Sequence, residues 1–296
     1  MHHIWYHSPC NDGLGAAYAA WSALGESGMR YTPCAYGNPL PAIEPEDEVT
    51  LLDFTAPRKD LLKLAQVAGR ITILDHHASA ERALAGLTEE ALATEGACEL
   101  RVTFDKNHSG AILAWQHFHP GISSPLVLDL IEDRDLWSFE DPRSRPMHYA
   151  LSTRRDFRDL HRCAESISEL QGVVADGYAI LQHLEAEWQS LAERAAFRKL
   201  PLPGQSVEVA TAVSPCPSAW FSDLGHLLLE QHTEIQIAVL YADNPAQGHT
   251  TVSLRSRPGG PDVSVIAASL GGGGHPQAAG FRTTLGAIHQ PWRVAT

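Results

Sequence analysis

Cysteine is sparse in this chain, and what there is does not pair: Cys10, Cys34, Cys98, Cys163 and Cys216 contain no C-x-x-C spacing. That leaves no disulfide framework and no structural zinc pattern. Basic residues are outnumbered, 22 Lys and Arg against 35 Asp and Glu, for a formal net charge of −13. A surface of that sign repels a long polyanion, since duplex and long single-strand binding draw on many Lys and Arg contacts. No long nucleic acid is therefore expected as a partner, whereas a small or short anionic substrate stays open. Residues 200–296 hold six acidic and four basic side chains, so nearly all the negative excess belongs to the rest of the chain, where metal ions among the carboxylates would offset part of it. No apolar run approaches a membrane span, so no membrane partner is expected. The first residues read as strand-like sequence at once, and no signal peptide is expected. The expectation is a reduced, cytoplasmic protein.

What is present is organised around Ile71-Thr-Ile-Leu-Asp-His-His77. This β-branched run, flanked by helical sequence, reads as an inner strand of a parallel sheet with three polar residues at its carboxyl end, where open α/β sheets form their crevice. Two more stretches repeat the plan. Ile4-Trp-Tyr-His7 is followed by Cys10, Asn11 and Asp12, and Val49-Thr-Leu-Leu-Asp53 ends on a carboxylate. Small residues from Gly13 to Ala20 let the helix 13–24 lie close to the sheet, and its first turn offers N–H groups to an anion. A Pro/Gly-rich loop 36–45 and a helix opened by Pro57 complete a βαβαβ unit. Residues 98–105 read as a further strand nearer an edge. Helices follow from Ser109 and near Ser124, the second running into Asp133-Arg-Asp135.

At 296 residues the chain has room for two domains. The expected boundaries are 1–190, a linker 191–204 carrying Pro201, Pro203 and Gly204, and a smaller α/β domain 205–296. Apolar steps of three and four from Ile167 to Leu191 mark one helical face, which Gly172 and Gly177 are expected to bend or interrupt. In the second domain, strands are expected at 207–213, 234–241 and 250–255, the last two antiparallel, with a helix 219–229 between. The run Gly271-Gly-Gly-Gly-His-Pro-Gln-Ala-Ala-Gly280 carries a large entropy cost, whose expected return is a backbone loop wrapped around a ligand, with Gly273 and Gly274 amides facing an anion.

Hard divalent ions prefer carboxylate and imidazole, and two ions close together clamp the attacking and leaving oxygens of phosphoryl transfer. His7, Asp12, Asp53, Asp75, His76, His77 and Asp133 all stand near element ends and fit that need. Any one alone is more often a cap, a turn residue or a hydrogen-bonded structural histidine.

The ordered set, together with the glycine run ending Gly-His-Pro-Gln-Ala-Ala-Gly280, resembles the DHH phosphoesterase superfamily with its associated DHHA1-type domain. That group includes RecJ-type exonucleases, short-oligonucleotide and phosphoadenosine phosphatases, cyclic-dinucleotide phosphodiesterases and manganese pyrophosphatases. The resemblance covers nearly the whole chain and implies a parallel-sheet domain, a smaller α/β domain and an active cleft between them. It implies two divalent ions, manganese first. His7 and Asp53 would hold one, and Asp12, Asp53, His76 and Asp133 the other, with Asp135 as fallback for Asp133. Asp75 and His77 would orient, polarise or touch phosphate, while Arg255 and His275 would bind it. His108 is a weaker candidate for substrate contact near the metals. The departure is Cys10, where the family usually has an aspartate; a thiolate ligand there favours cobalt, zinc or iron over manganese.

The implied activity is a phosphodiesterase or exonuclease on short oligonucleotides or small phosphorylated nucleotides. The alternatives are a phosphomonoesterase, an inorganic pyro- or polyphosphatase, and a catalytically weakened phospholigand-binding protein. Trp137, Phe139, Tyr149 and Trp220 are candidates for a base-stacking shelf that would separate these readings. The oligomeric state is left open, a homodimer included.

Overall fold

A computed structural model describes residues 1–93, 96–154, 156–201 and 208–287. The chain comprises two α/β domains, with compact units at 1–181 and 182–296. The division falls inside the helix Ile167–Glu193, not at residue 190. Among the described residues no helix is long and apolar enough to cross a membrane.

The first unit is built on five strands: β1 (His2–His7), β2 (Met29–Cys34), β3 (Glu48–Leu52), β4 (Arg70–Asp75) and β5 (Glu99–Phe104). Every pair is parallel and the order is β2-β1-β3-β4-β5. Alternating residues feed two cores. Ile4, Tyr6, Leu52 and Leu74 pack with the helices Asn11–Leu24, Gly110–Phe118 and Leu126–Asp135. Trp5, Leu51, Ile71 and Ile73 pack on the opposite face with Leu61, Leu64 and Leu87. Burial on both faces explains why the inner strands read as unbroken apolar runs. The three strands read from sequence are the three inner ones, and 98–105 is an edge strand as expected. β2 escaped notice because it is the other edge, half-exposed throughout and interrupted by Pro33.

The second unit carries β6 (Ala196–Pro201), β7 (Glu208–Pro215), β8 (Ile237–Asn244), β9 (His249–Ser256), β10 (Gly273–His275) and β11 (Ala278–Thr284). Their order is β10-β11-β9-β8-β7-β6, antiparallel except for β7 and β8, which the helix Phe221–Gln231 connects. The expected pairing of 234–241 with 250–255 is present as β8 and β9.

Three expectations are corrected. The proposed linker is partly ordered structure, because residues 196–201 form β6 against β7; Pro203 and Gly204, like Val207 of the strand expected at 207–213, lie outside the described residues. Gly172 and Gly177 do not interrupt the helix Ile167–Glu193. A Cβ at Gly177 would stand 2.0 Å from the carbonyl oxygen of Pro146, so this glycine permits a close backbone crossing. The glycine run is no open loop: residues 273–275 pair with β11, Gly273 opposite Gly280 and His275 opposite Ala278. A Cβ on Gly272 would meet the Gly280 oxygen at 2.1 Å, and Gly274 holds φ +141 against Ala278 and Ala279. Tight hairpin packing therefore accounts for glycine at both positions.

Candidate metal centre

β1 closes on His7, β3 leads directly into Asp53, and β4 closes on Asp75 with His76 and His77 next. These strands are parallel neighbours, so their carboxyl ends meet on one edge. The chain leaves β1 for β2 on one side and returns to β3 on the other, the switch point at which such sheets open a crevice.

Asp53 is central. It is 1% exposed and holds φ +60, a left-handed backbone that an aspartate tolerates but seldom adopts. Its Oδ2 stands 3.2 Å from His7 Nδ1, and its Oδ1 stands 3.3 Å from His76 Nε2 without a well-aligned hydrogen bond. His76 Nε2 is in turn 3.6 Å from Asp12 Oδ2 and 3.6 Å from Asp135 Oδ2. Ligand atoms of His7, Cys10 and Asp53 lie within 4.8 Å of one another, as do those of Asp12, His76 and Asp135, and those of Asp53, Asp75, His76 and His77.

The helix starts set these positions. Asp12, in the first turn of the helix Asn11–Leu24, accepts hydrogen bonds from the amides of Gly110 (2.6 Å) and Ala111 (2.8 Å), so one helix's acidic first turn seats the start of another. Gly110 permits this: a Cβ there would lie 2.5 Å from Asp53 Cβ and 2.9 Å from Asp12 Oδ2. Gly13 plays the same part against β1, where a Cβ would stand 2.1 Å from the His7 oxygen. Asp75 is fully buried. Its Oδ1 accepts from the amides of His76 (2.7 Å) and His77 (3.1 Å) and meets His77 Nδ1 at 2.7 Å, while its Oδ2 has no hydrogen-bond partner.

Burial works against charge on Asp53, yet the hydrogen bond from His7 and the close approach of the His76 and His77 imidazoles hold its carboxyl far below the usual range. Asp12 goes the other way, pushed well up by burial and then by Asp53 and Asp135, against His76. Asp135, whose side chain keeps 30% of its surface exposed, is raised too, by partial desolvation and by the neighbouring Asp53. Burial lowers the His76 imidazole, but Asp53, Asp12 and Asp135 outweigh it and lift it to about 10. The Cys10 thiol is pushed well up by burial, then by Asp53, Asp135 and Asp12, so it ligates only where a cation displaces its proton. Three carboxylates facing one another, with orphaned oxygens on Asp53 and Asp75, are the donor set that divalent cations satisfy. The residues fit the two ions the sequence implies.

The structure brings His7, Cys10, Asp12, Asp53, Asp75, His76 and His77 together. It does not place the Asp133 carboxylate among them. That group accepts from the amides of Glu140 (2.7 Å) and Asp141 (3.2 Å), holding a turn, and the fallback Asp135 takes the position facing His76. Both residues lie on one short helix, and sequence could not tell which points inward. His108 sits two residues before Gly110, with Nδ1 3.3 Å from Glu132 Oε2. Two contributors went unseen: Gly110, and Tyr36, whose ring packs edge-on 5.0 Å from His7 and 6.2 Å from His77. Tyr36 lay in a segment read as loop, and no residue pattern flags either. A cavity beside Asp12 and Asp135 is lined by Cys10, Asn11, Arg134 and His148.

In the second unit, Arg255 donates to Ser253 Oγ (2.7 Å), the Leu254 carbonyl (3.0 Å) and Ser222 Oγ (2.9 Å). Arg255 and His275 both pair with Ala278, so they stand in one row across β9, β11 and β10. Gly273 and Gly274 share that hairpin. Among the four aromatics held as a base shelf, Trp137 and Phe139 meet edge to face, Tyr149 is buried, and Trp220 ends a short 3-10 turn in the second unit.

Fold and site thus define an α/β chain with adjoining candidate divalent-ion sites at the switch point of a parallel sheet. No family model matches the chain. An uncharacterised protein of Acanthamoeba polyphaga mimivirus is 26% identical over 295 residues, covering 94% of this chain; the match spans 66% of that relative's length. Among solved structures, RecJ with Mg2+ from Thermus thermophilus aligns over 98% of this chain and 48% of its own, with 17% identity and a TM-score of 0.48. The pGpG-specific phosphodiesterase PggH of Vibrio cholerae aligns over 98% and 96%, with 12% identity and a TM-score of 0.47. An exopolyphosphatase-related protein of Bacteroides fragilis aligns over 95% and 86%, with 14% identity and a TM-score of 0.43. At such scores none of them bears on chemistry; the geometry of the site does.

Proposed function

We propose that this chain is a phosphoric ester hydrolase dependent on two divalent ions, acting on short oligonucleotides or small phosphorylated nucleotides. The observation that carries the reading is Asp53, whose two oxygens face two different ligand groups, one toward His7 and the other toward His76. A carboxylate so placed is suited to bridge a pair of ions. His7, Cys10 and Asp53 would hold one, and Asp12, Asp53, His76 and Asp135 the other. Manganese is the first choice, with cobalt, zinc and iron as alternatives set by Cys10. Divalent ions held by these residues would supply Lewis-acid polarisation of a phosphoryl oxygen and a lowered water pKa.

The chain's own residues orient and exclude. Asp75 fixes the His77 ring through Nδ1, and His77 is assigned a hydrogen bond to a phosphate oxygen or a proton at the leaving group. Tyr36 gives the site an aromatic neighbour, its ring edge-on to His7 and His77. In the second unit, Arg255, His275 and the amides of Gly273 and Gly274 are our proposed phosphate contacts, supported by their common row. His108 remains a candidate substrate contact.

One observation favours a second reading. A thiol at position 10 that kept its proton would weaken one ion site, as in a phospholigand-binding protein that has lost turnover. A phosphomonoesterase or an inorganic pyro- or polyphosphatase shares the same metal chemistry. Purified protein assayed with Mn, Co, Zn or Fe against dinucleotides, cyclic nucleotides, phosphoadenosine phosphate and pyrophosphate separates these. Turnover of dinucleotides supports the proposal, whereas uptake of no divalent ion and turnover of nothing in the panel overturns it.

A further inference from the structure

The helix Leu126–Asp135 ends in an unusual way. Trp137 N donates to the Arg134 carbonyl (3.3 Å) and Ser138 N to the Asp133 carbonyl (3.0 Å), the paired bonds of a Schellman end. The residue that must turn left-handed in that motif is usually glycine; here it is Trp137, with φ +61. Phe139, two residues on, is left-handed as well, with φ +51. Both are strained places for aromatic residues. The turn holds because Asp133 also takes the amides of Glu140 and Asp141 on its carboxylate.

What the aromatic residues provide there is a seat. The Arg134 guanidinium lies 4.1 Å from the Trp137 ring centroid and 5.7 Å from that of Phe139. Arg134 is 8% exposed and borders the cavity next to Asp12 and Asp135, and Asp135 is its chain neighbour at the last helical position. A glycine at 137 would close the helix with less strain but would leave Arg134 without its stacking partner.

We propose that Trp137 is a positioning residue: by stacking on Arg134 it fixes the end of the helix, and so holds the Asp135 carboxylate facing Asp12 and His76. This rests on the metal-dependent reading above. Asp133 then serves as the clamp of the same device.

The test is a manganese titration of the full chain, followed by calorimetry and by paramagnetic resonance of free Mn, comparing wild type, Trp137→Gly, Trp137→Phe and Asp135→Asn. Two ions are expected in the wild type. Trp137→Gly should weaken one of them at least tenfold and leave the other within twofold. Trp137→Phe, which keeps a ring for Arg134, should recover most of the loss. The ion lost must be the one Asp135→Asn loses, so the double variant Trp137→Gly/Asp135→Asn should show no further weakening. Unchanged binding of both ions in Trp137→Gly, parallel weakening of both, or no recovery with phenylalanine overturns the inference alone. A wild type that takes up no divalent ion overturns both the inference and the functional reading.

Discussion

Asp53 and Gly274 both occupy backbone conformations that few residues accept, at φ +60 and φ +141, and both belong to segments that sequence singled out. Around Gly274 the backbone conformation is accounted for inside the fold: the hairpin pairs, and neighbouring backbone fills the space a side chain would need. Around Asp53 the fold leaves a deficit, with carboxylates facing one another and buried oxygens on Asp53 and Asp75 that have no aligned hydrogen bond. A strained residue whose surroundings are complete is explained by packing. One whose surroundings are incomplete points to a missing ligand.

The sharpest way to break this contrast is Asp53→Ala. If one carboxylate serves both ion sites, turnover should fall on the order of 1,000-fold, the scale seen when a principal electrostatic group is removed. Divalent ions would also cease to stabilise the fold, where the wild type should gain about 2.7 kcal/mol with free ion about 100-fold above its Kd. Thermal melts with and without manganese read this directly, and a full metal response in the variant would contradict the assignment.

Gly274→Ala probes the other side. A left-handed glycine with a Cβ clash of 2.5 Å at the Ala278 oxygen should cost about 1–3 kcal/mol in denaturant unfolding, with uptake of both ions intact. Loss of ion binding instead would mean that the two regions are not separable.

Asp135→Asn and Asp133→Asn divide the two readings of one helix end. The first should weaken one ion at least about tenfold with little change in the stability of the metal-free protein. The second should lower that stability by about 1 kcal/mol, since an amide replaces a carboxylate accepting two backbone N–H groups, with the smaller effect on metal.

A milder effect concerns pH. With His76 raised from 6.5 to about 10, the stability it contributes to the metal-free protein is complete below about pH 6.5 and is lost as pH climbs through about 10. Saturating metal should flatten that slope, because a ligating imidazole must be neutral. Urea midpoints at the two ends of the window, with and without chelator, give the comparison. The subtlest probe is Cys10→Asp, which should shift preference toward manganese; an unaltered order of metals would place residue 10 outside the site.

Strand ends were legible because buried parallel strands write their apolar runs plainly, and His7, Asp53 and Asp75 punctuate them. Edge strands β2 and β6 were not, since half-exposed strands lose that signature. Asp12 was read from its place after β1 and stands 3.6 Å from His76 Nε2, whereas Asp133 and Asp135 differ only in where one short helix points them. The glycine run was noticed for its cost but read as an open loop, whereas residues 273–275 form a short strand with close backbone approach.

Gly110 carries one last implication. The hydrogen on its α-carbon, facing Asp53 and Asp12, sets how near the helix Gly110–Phe118 can draw to the sheet. Any larger substituent would act as a wedge, prising the helix start from Asp12 and widening the gap between the candidate ligands, so the spacing of the centre is written at a position whose side chain could never coordinate a metal itself.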